Sequence, residues 1–379
     1  MKRPFSLSLV LALSALLAPP PAFANPAAIA RLNELGFTHK NAPLDEAAFG
    51  EIQSVSIPQA AKASFSDADL AILANVPRLG HLALDGVRSI TPEGIKALKE
   101  APDLWNISWI GADLSDAHIQ ALSEISGLKH LRIGANPKVT DAVMAHLHAL
   151  PSLEMLAVEG TAITDAGILA LRGNESLRQL YLGTLPITDD SLAVLGTMRG
   201  LRQLDLNKTK VTGSGFSHLA ALPGLEQLGA MGAPLSDSGV SELAASQSLK
   251  SLFLWKTPIG DEAVTALAAL PLLRVLYLED TNVTDAGLSA LASSKALETL
   301  WVSGTAITDA GLIALTSTPL SQLQMNETAV TDAALLQLAA MPTLTHVTAR
   351  KTALSEAGVA AAMALEGRNP KLSIRYDQP

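Results

Sequence analysis

The segment L-E-T-L-W-V-S-G-T-A-I-T-D-A-G-L-I-A-L, residues 297–315, decides the fold. Its first half sets Leu300 and Val302 against Thr299, Trp301 and Ser303, the period-two alternation of a short strand with one face inward. Its second half opens with Thr308-Asp309 and then places Leu312 and Leu315 three apart, which starts a helix. Thr308 suits the N-cap, where a side-chain oxygen accepts a hydrogen bond from a free backbone N–H, and Asp309 complements the helix dipole in the first turn.

The unit recurs in both directions. Its opening leucine stands at Leu79, Leu104, Leu128, Leu153, Leu177, Leu201, Leu225, Leu249, Leu273, Leu297, Leu320 and Leu344, a period of roughly 24 residues. One extra residue falls near Asn136, Pro137 and Lys138. A looser first unit begins at Ile52, with Val55 and Ile57, and Leu372-Ser373-Ile374 makes a closing half-unit. Pro151, Pro223, Pro271, Pro319 and Pro342 fall where the helical stretches must stop. One strand and one helix cannot bury their apolar faces alone, but stacked units share a continuous core. The expected fold is an α/β solenoid, with a parallel sheet on its concave face and short helices on its convex face.

These motifs resemble the leucine-rich-repeat family over residues 52–376, about 13 units with a closing strand. The T-D-A-G-L segment is similar to bacterial repeat proteins akin to the repeat region of F-box proteins. The resemblance implies a horseshoe that binds partners, often proteins, along its concave face. The cysteines usual in the F-box relatives are missing, and no F-box flanks the array, so a ubiquitin-ligase role is not implied.

Before the repeats, residues 1–24 combine Lys2 and Arg3 with an apolar stretch from Phe5 to Leu17 and small residues at Ala22 and Ala24. That is the pattern of a secretory signal peptide cut between Ala24 and Asn25. The stretch is too short to span a bilayer and is interrupted by Pro19, Pro20 and Pro21. Residues 25–51, with Ile29, Leu32 and Leu35 at helical spacing, are expected to be an N-terminal helical cap. The chain is therefore expected to be exported, periplasmic or secreted, with no membrane span after leader removal.

The absence of cysteine excludes disulfides, thiol nucleophiles and cysteine metal sites. A net charge of −9, more negative still without Lys2 and Arg3, offers no basic cluster for a phosphate backbone, so nucleic acid is not an expected partner. An acid column runs through Asp67, Asp116, Asp141, Asp165, Asp189, Asp237, Asp261, Asp285, Asp309, Asp332 and Glu356. It is explained by helix starts, and no D-x-D-x-D-G loop supports calcium. A threonine column (Thr161, Thr209, Thr257, Thr281, Thr305, Thr328, Thr352) fits turn hydrogen bonding. His81, His130, His146 and His148 lack metal-ligand spacing, and no catalytic or nucleotide-binding motif is present. Neither metal nor cofactor is expected.

Outward positions of the strands are mostly small or polar, as at Ser54, Ser56, Ala83, Ala157 and Gly229. Against that background Phe253, Tyr277 and Trp301 occupy one position in three consecutive units, Trp255 follows Phe253 on the same face, and Tyr181 holds the equivalent place three units earlier. At the usual strand separation the three rings form a ladder roughly 10 Å long. Glu279, Asp280, Ser303 and Asn326, with Lys256 and Glu327, would rim it. An aromatic centre with a polar rim has the composition of a binding hot spot. The plainer account is cross-strand stacking, which stabilises a sheet by about 0.2–1 kcal/mol per pair without any ligand. Trp109, at a core-leucine position, is packing.

The sequence thus points to a non-enzymatic exported protein that recognises a macromolecule, foremost a protein, on its concave face. The alternatives are a cell-envelope glycan-binding protein using the same ladder, and an enzyme built on acids such as Asp280 and Glu327. Oligomeric state is not set by these features.

Overall fold

The repeat leucines bury one edge of every strand, and this lines the strands up along a single core. In the computed structural model, which describes residues 25–377, fourteen parallel strands from Ser54–Ser56 to Ser373–Tyr376 form one sheet in sequence order. Each strand is three or four residues long, with its central leucine or equivalent buried, as at Leu252, Leu276 and Leu300. Short helices, many tightening to a 3-10 turn, return the chain to the next strand. The expected leader lies outside the described residues, and among these no helix is long and apolar enough to cross a membrane.

The threonine column closes the turn that leaves each strand. The hydroxyls of Thr257, Thr281 and Thr305 donate to the carbonyls of Leu254, Leu278 and Val302, each at 2.6 Å. Asn136 stands at this position in the unit with the extra residue and is fully buried. Its Oδ1 accepts from the N–H groups of Ala112 and Leu114 (2.9 and 3.0 Å), and its Nδ2 donates to the carbonyls of Trp109, Ile133 and Gly134. An amide side chain therefore ties two successive turns together, whereas a threonine closes only its own.

The acid column does more than complement helix dipoles. Asp261 accepts the Thr284 N–H at Oδ1 (2.8 Å) and the Thr284 hydroxyl at Oδ2 (2.6 Å), and Asp285 does the same to Thr308 (2.7 and 2.6 Å). Asp141 to Thr164 and Asp165 to Thr188 repeat the arrangement. Each carboxylate thus holds the helix cap of the following unit, while the cap hydroxyl accepts from its own helix, as Thr284 does from Ala286 N–H. The glycine of T-D-A-G is the steric counterpart. A Cβ on Gly287 would lie 2.6 Å from Asp261 Oδ1, and one on Gly311 would lie 2.5 Å from Asp285 Oδ1. Where Gly213 replaces the acid, the next cap, Ser236, instead donates its N–H to the Thr212 carbonyl at 2.9 Å.

At the N-terminal end, the helix Pro26–Glu34 and the helix Glu46–Glu51 flank a two-stranded antiparallel pair, Thr38–His39 with Ala42–Pro43. Leu32, Phe37 and Phe49 join the core of the first repeat beside Leu70 and Leu73. Arg31 reaches the buried Asp69 carboxylate through Nε (2.8 Å) and a terminal nitrogen (3.1 Å), and Ser66 donates to the same group. Burial pulls the Asp69 pKa upward, but Arg31 and Ser66 outweigh it and leave the carboxyl below its ordinary value.

Two outcomes follow from these contacts. The nearest atoms to a Cβ on Gly358 all belong to the Asp332 carboxylate. Gly358→Ala should therefore destabilise the protein alone, but in an Asp332→Ala background it should gain up to about 1 kcal/mol of helix propensity. Denaturant unfolding of the four proteins of that cycle measures the coupling. Because the folded Asp69 pKa lies below the unfolded one, its contribution is present above the unfolded pKa and is lost as pH falls through the folded value. Amide exchange in Pro26–Glu34, corrected for intrinsic rates, should accelerate on acidification relative to the central repeats. In Asp69→Asn it should already be fast at neutral pH.

Candidate functional site

Strand register brings the predicted ladder together. Phe253 pairs with Tyr277 and Tyr277 with Trp301 across adjacent parallel strands, with all three half-buried on the concave face. The Phe253 and Tyr277 ring centroids are 4.9 Å apart and tilted by 55°, and Tyr277 and Trp301 stack at 3.8 Å with planes 2° apart. The second step is shorter than the roughly 4.8 Å between strand backbones. The two parallel ring planes stack face to face, whereas the tilted Phe253 ring stands further off. Trp255 completes the group, its ring 6.0 Å from both Phe253 and Tyr277.

The expected polar rim divides into engaged and free groups. Ser303 Oγ accepts the Asn326 N–H at 3.0 Å, and Asn326 Oδ1 accepts the Arg350 N–H at 2.7 Å, so both side chains link neighbouring units. Glu327 pairs with Lys351 at 2.8 Å. Glu279 is different. It is half-buried beside the rings, and its Oε2 is buried without a hydrogen-bond partner among the described residues. Burial raises its carboxyl pKa above the usual value, and the adjacent Asp280 carboxylate adds to the shift. Burial, together with the Glu279 charge, also raises the Tyr277 phenol.

Asp280 occupies the exposed turn after Glu279 in a left-handed conformation, φ 55°, and leans toward the next unit. Gly304 makes room for it: the backbone there has φ 68°, and a Cβ would run into the Asp280 carboxylate. Beyond Trp301, on the side away from Tyr277, a cavity of about 230 Å³ is bordered by Gln324, His346, Thr348 and Arg375.

Tyr181 is not part of this group, since Asp205 and Gly229 stand between it and Phe253 in the sheet. It belongs to a second concave cluster with Arg132, Glu159 and Asp205. There burial raises the carboxyls of Glu159 and Asp205, and Asp205 also accepts the Asn207 N–H at 2.7 Å. Gly183 lies between the two acids: a Cβ there would be 3.3 Å from Asp205 Oδ1 and 3.5 Å from Glu159 Cγ. The outward positions of Glu159 and Asp205 were available as a sequence signal. Their approach across a glycine two units wide was not.

No curated protein matches the chain in sequence. The family model described as "Leucine Rich repeat" matches residues 269–292, which hold the strand carrying Tyr277 and the helix after it. Among solved structures, an internalin from Listeria monocytogenes superposes with a TM-score of 0.60 at 18% identity, covering 93% of this chain and 94% of that one. The TLR13–ssRNA13 complex gives a TM-score of 0.53 at 19% identity, covering 75% of this chain and 41% of that chain. The matched repeat, set in a solenoid whose successive units repeat the same strand, turn and helix, gives this chain the leucine-rich-repeat fold.

Proposed function

We propose that this is an exported, non-enzymatic binding protein that receives a protein partner on its concave face, centred on Phe253, Trp255, Tyr277, Glu279 and Trp301. The observation that carries this reading is the buried Glu279 Oε2, without a hydrogen-bond partner among the described residues, beside the stacked Tyr277 and Trp301 rings. A buried acceptor with no donor costs stability, and a donor brought by a partner removes that cost. With Asp280 adjacent, the complementary group is a cation, so the partner presents a lysine or arginine flanked by apolar side chains. The acids also argue against a nucleic-acid backbone at this surface. A sugar is less well served here, because the facing sides of Tyr277 and Trp301 cover one another.

Affinity capture from envelope and culture fractions tests the reading. A Trp255→Ala, Trp301→Ala double variant should lose the partner that the wild type retains. Recovery of the same proteins by both would refute it. Glu279→Gln should also weaken capture, while stabilising the free protein at neutral pH. Its folded pKa is raised, so the ionised form is the one the fold disfavours above that pKa. Export has its own measurement: protein recovered from outside the cytoplasm should begin at Asn25, and a mature chain retaining Met1 would contradict the leader assignment.

A further inference from the structure

A different surface stands out when the residue just before each strand is followed along the array. From the strand at His130 to the strand at Thr299 this row reads Lys129, Glu154, Arg178, Arg202, Glu226, Lys250, Arg274 and Glu298. Several members form ion pairs with the next, as in Lys250–Glu226 (3.0 Å) and Arg274–Glu298 (3.2 Å). The same row begins with Gln53, Gly80 and Trp105. Trp105 thus occupies a position that the next eight units fill with a charge, and at 40% exposure it lies largely outside the core.

The local structure is arranged around this indole. A Cβ on Gly80 would lie 2.7 Å from Trp105 Nε1 and 3.2 Å from Cδ1, so the ring rests where the preceding unit has no side chain. Its aromatic contact is T-shaped, with His130 at 5.1 Å and 80°, which leaves ring face uncovered. Two cavities share Trp105 and Asp103 as a common wall. One, of about 580 Å³, is lined further by Gln53, Ser54, Arg78 and His81. The other, of about 490 Å³, reaches Lys129 and His130, whose imidazole pKa is lowered by burial.

The chemistry of the lining selects a ligand class. The larger cavity is lined by the polar side chains of Gln53, Ser54, Arg78, His81 and Asp103. Between His81 and His130 in the sheet, Asn106 Oδ1 is buried without a donor. An amide, a hydroxyl, an imidazole, a guanidinium and a carboxylate together offer donors and acceptors in mixed order. The opposite charges of Arg78 and Asp103 do not favour a simple anion or cation. A flat apolar wall with mixed donors and acceptors at its edge fits a sugar ring, whose C–H face packs on an aromatic ring while its hydroxyls both give and accept. Both hollows are shallow clefts open to solvent. Two compartments joined at one wall suit consecutive units of a chain.

We infer that the cleft at Trp105 is a glycan-binding site, in which an oligosaccharide passes over the indole with one ring against Trp105 and its hydroxyls bonded to Gln53, Arg78, His81 and Asp103. It is separate from the concave-face ladder and does not depend on the protein partner proposed there.

Calorimetric titration of the full chain with maltohexaose, cellohexaose and chitohexaose in turn tests this. At least one should bind saturably, and Trp105→Ala should weaken that binding roughly tenfold or more with an unchanged unfolding temperature. Gly80→Ala keeps the tryptophan but displaces its ring, and should also weaken binding. Trp301→Ala should leave it intact. The assignment is overturned if none of the three probes binds, if binding survives Trp105→Ala, or if it is lost in Trp301→Ala instead. Trp105-dependent binding of a peptide library with no hexasaccharide bound would make the cleft a peptide site and equally overturn it.

Discussion

The bond on which the array depends joins an aspartate at the start of one helix to the cap threonine of the next, as between Asp285 and Thr308. It does on the convex side what the parallel ladder does on the concave side, and two fixed edges leave little freedom to rotate one unit against its neighbour. Constant register between units is what sets Phe253, Tyr277 and Trp301 opposite one another on adjacent strands. The aromatic site is therefore a consequence of scaffold regularity. Stability in such an array is approximately a sum over neighbouring units, so a weakened junction is felt locally.

The period, the short strands and the helix starts were legible because each is encoded within one unit. Leucines alternate inward, Thr-Asp begins a helix, and proline stops it. What stayed hidden lies between units. The sequence assigned the aspartates to helix dipoles, yet their carboxylates act mainly on residues one repeat ahead, and the glycine in T-D-A-G is explained by the previous unit's acid. Asn136 looked like an insertion and is a fully buried brace. Each of these is a bond between residues more than twenty positions apart, which no pattern within a unit displays.

The same distinction runs through the candidate site. The ladder was readable because departures from a repeat reveal themselves at a fixed position. Ser303 and Asn326 looked free because nothing within their own units engages them, whereas they are used as acceptors for the backbone of the turn in the next unit. Glu279 looked like one rim acid among several, and its lack of a partner appears only when the groups around it are counted. Trp105 breaks its row as clearly as Trp301 breaks another. What separates it from packing is the missing side chain at Gly80 and the two cavities on its flanks.

A ligand on the concave face would meet side chains alone. The interior strands are paired on both sides, and the turns that follow them are engaged as well. The N–H groups of Lys256, Asp280, Gly304 and Glu327 donate to the carbonyls of Glu279, Ser303, Asn326 and Arg350. Lys256, Asp280 and Glu327 make these bonds in a left-handed conformation, with φ of 55–57°, that costs a non-glycine residue about 1 kcal/mol or more. That cost satisfies a backbone donor, and it also removes the carbonyl opposite from reach of a ligand. A partner strand thus finds no free backbone at Phe253–Trp301 to pair with. What this face offers is side chains: the four rings and the neighbouring Glu279 and Asp280 carboxyls, which stand at positions that the repeat leaves free to vary.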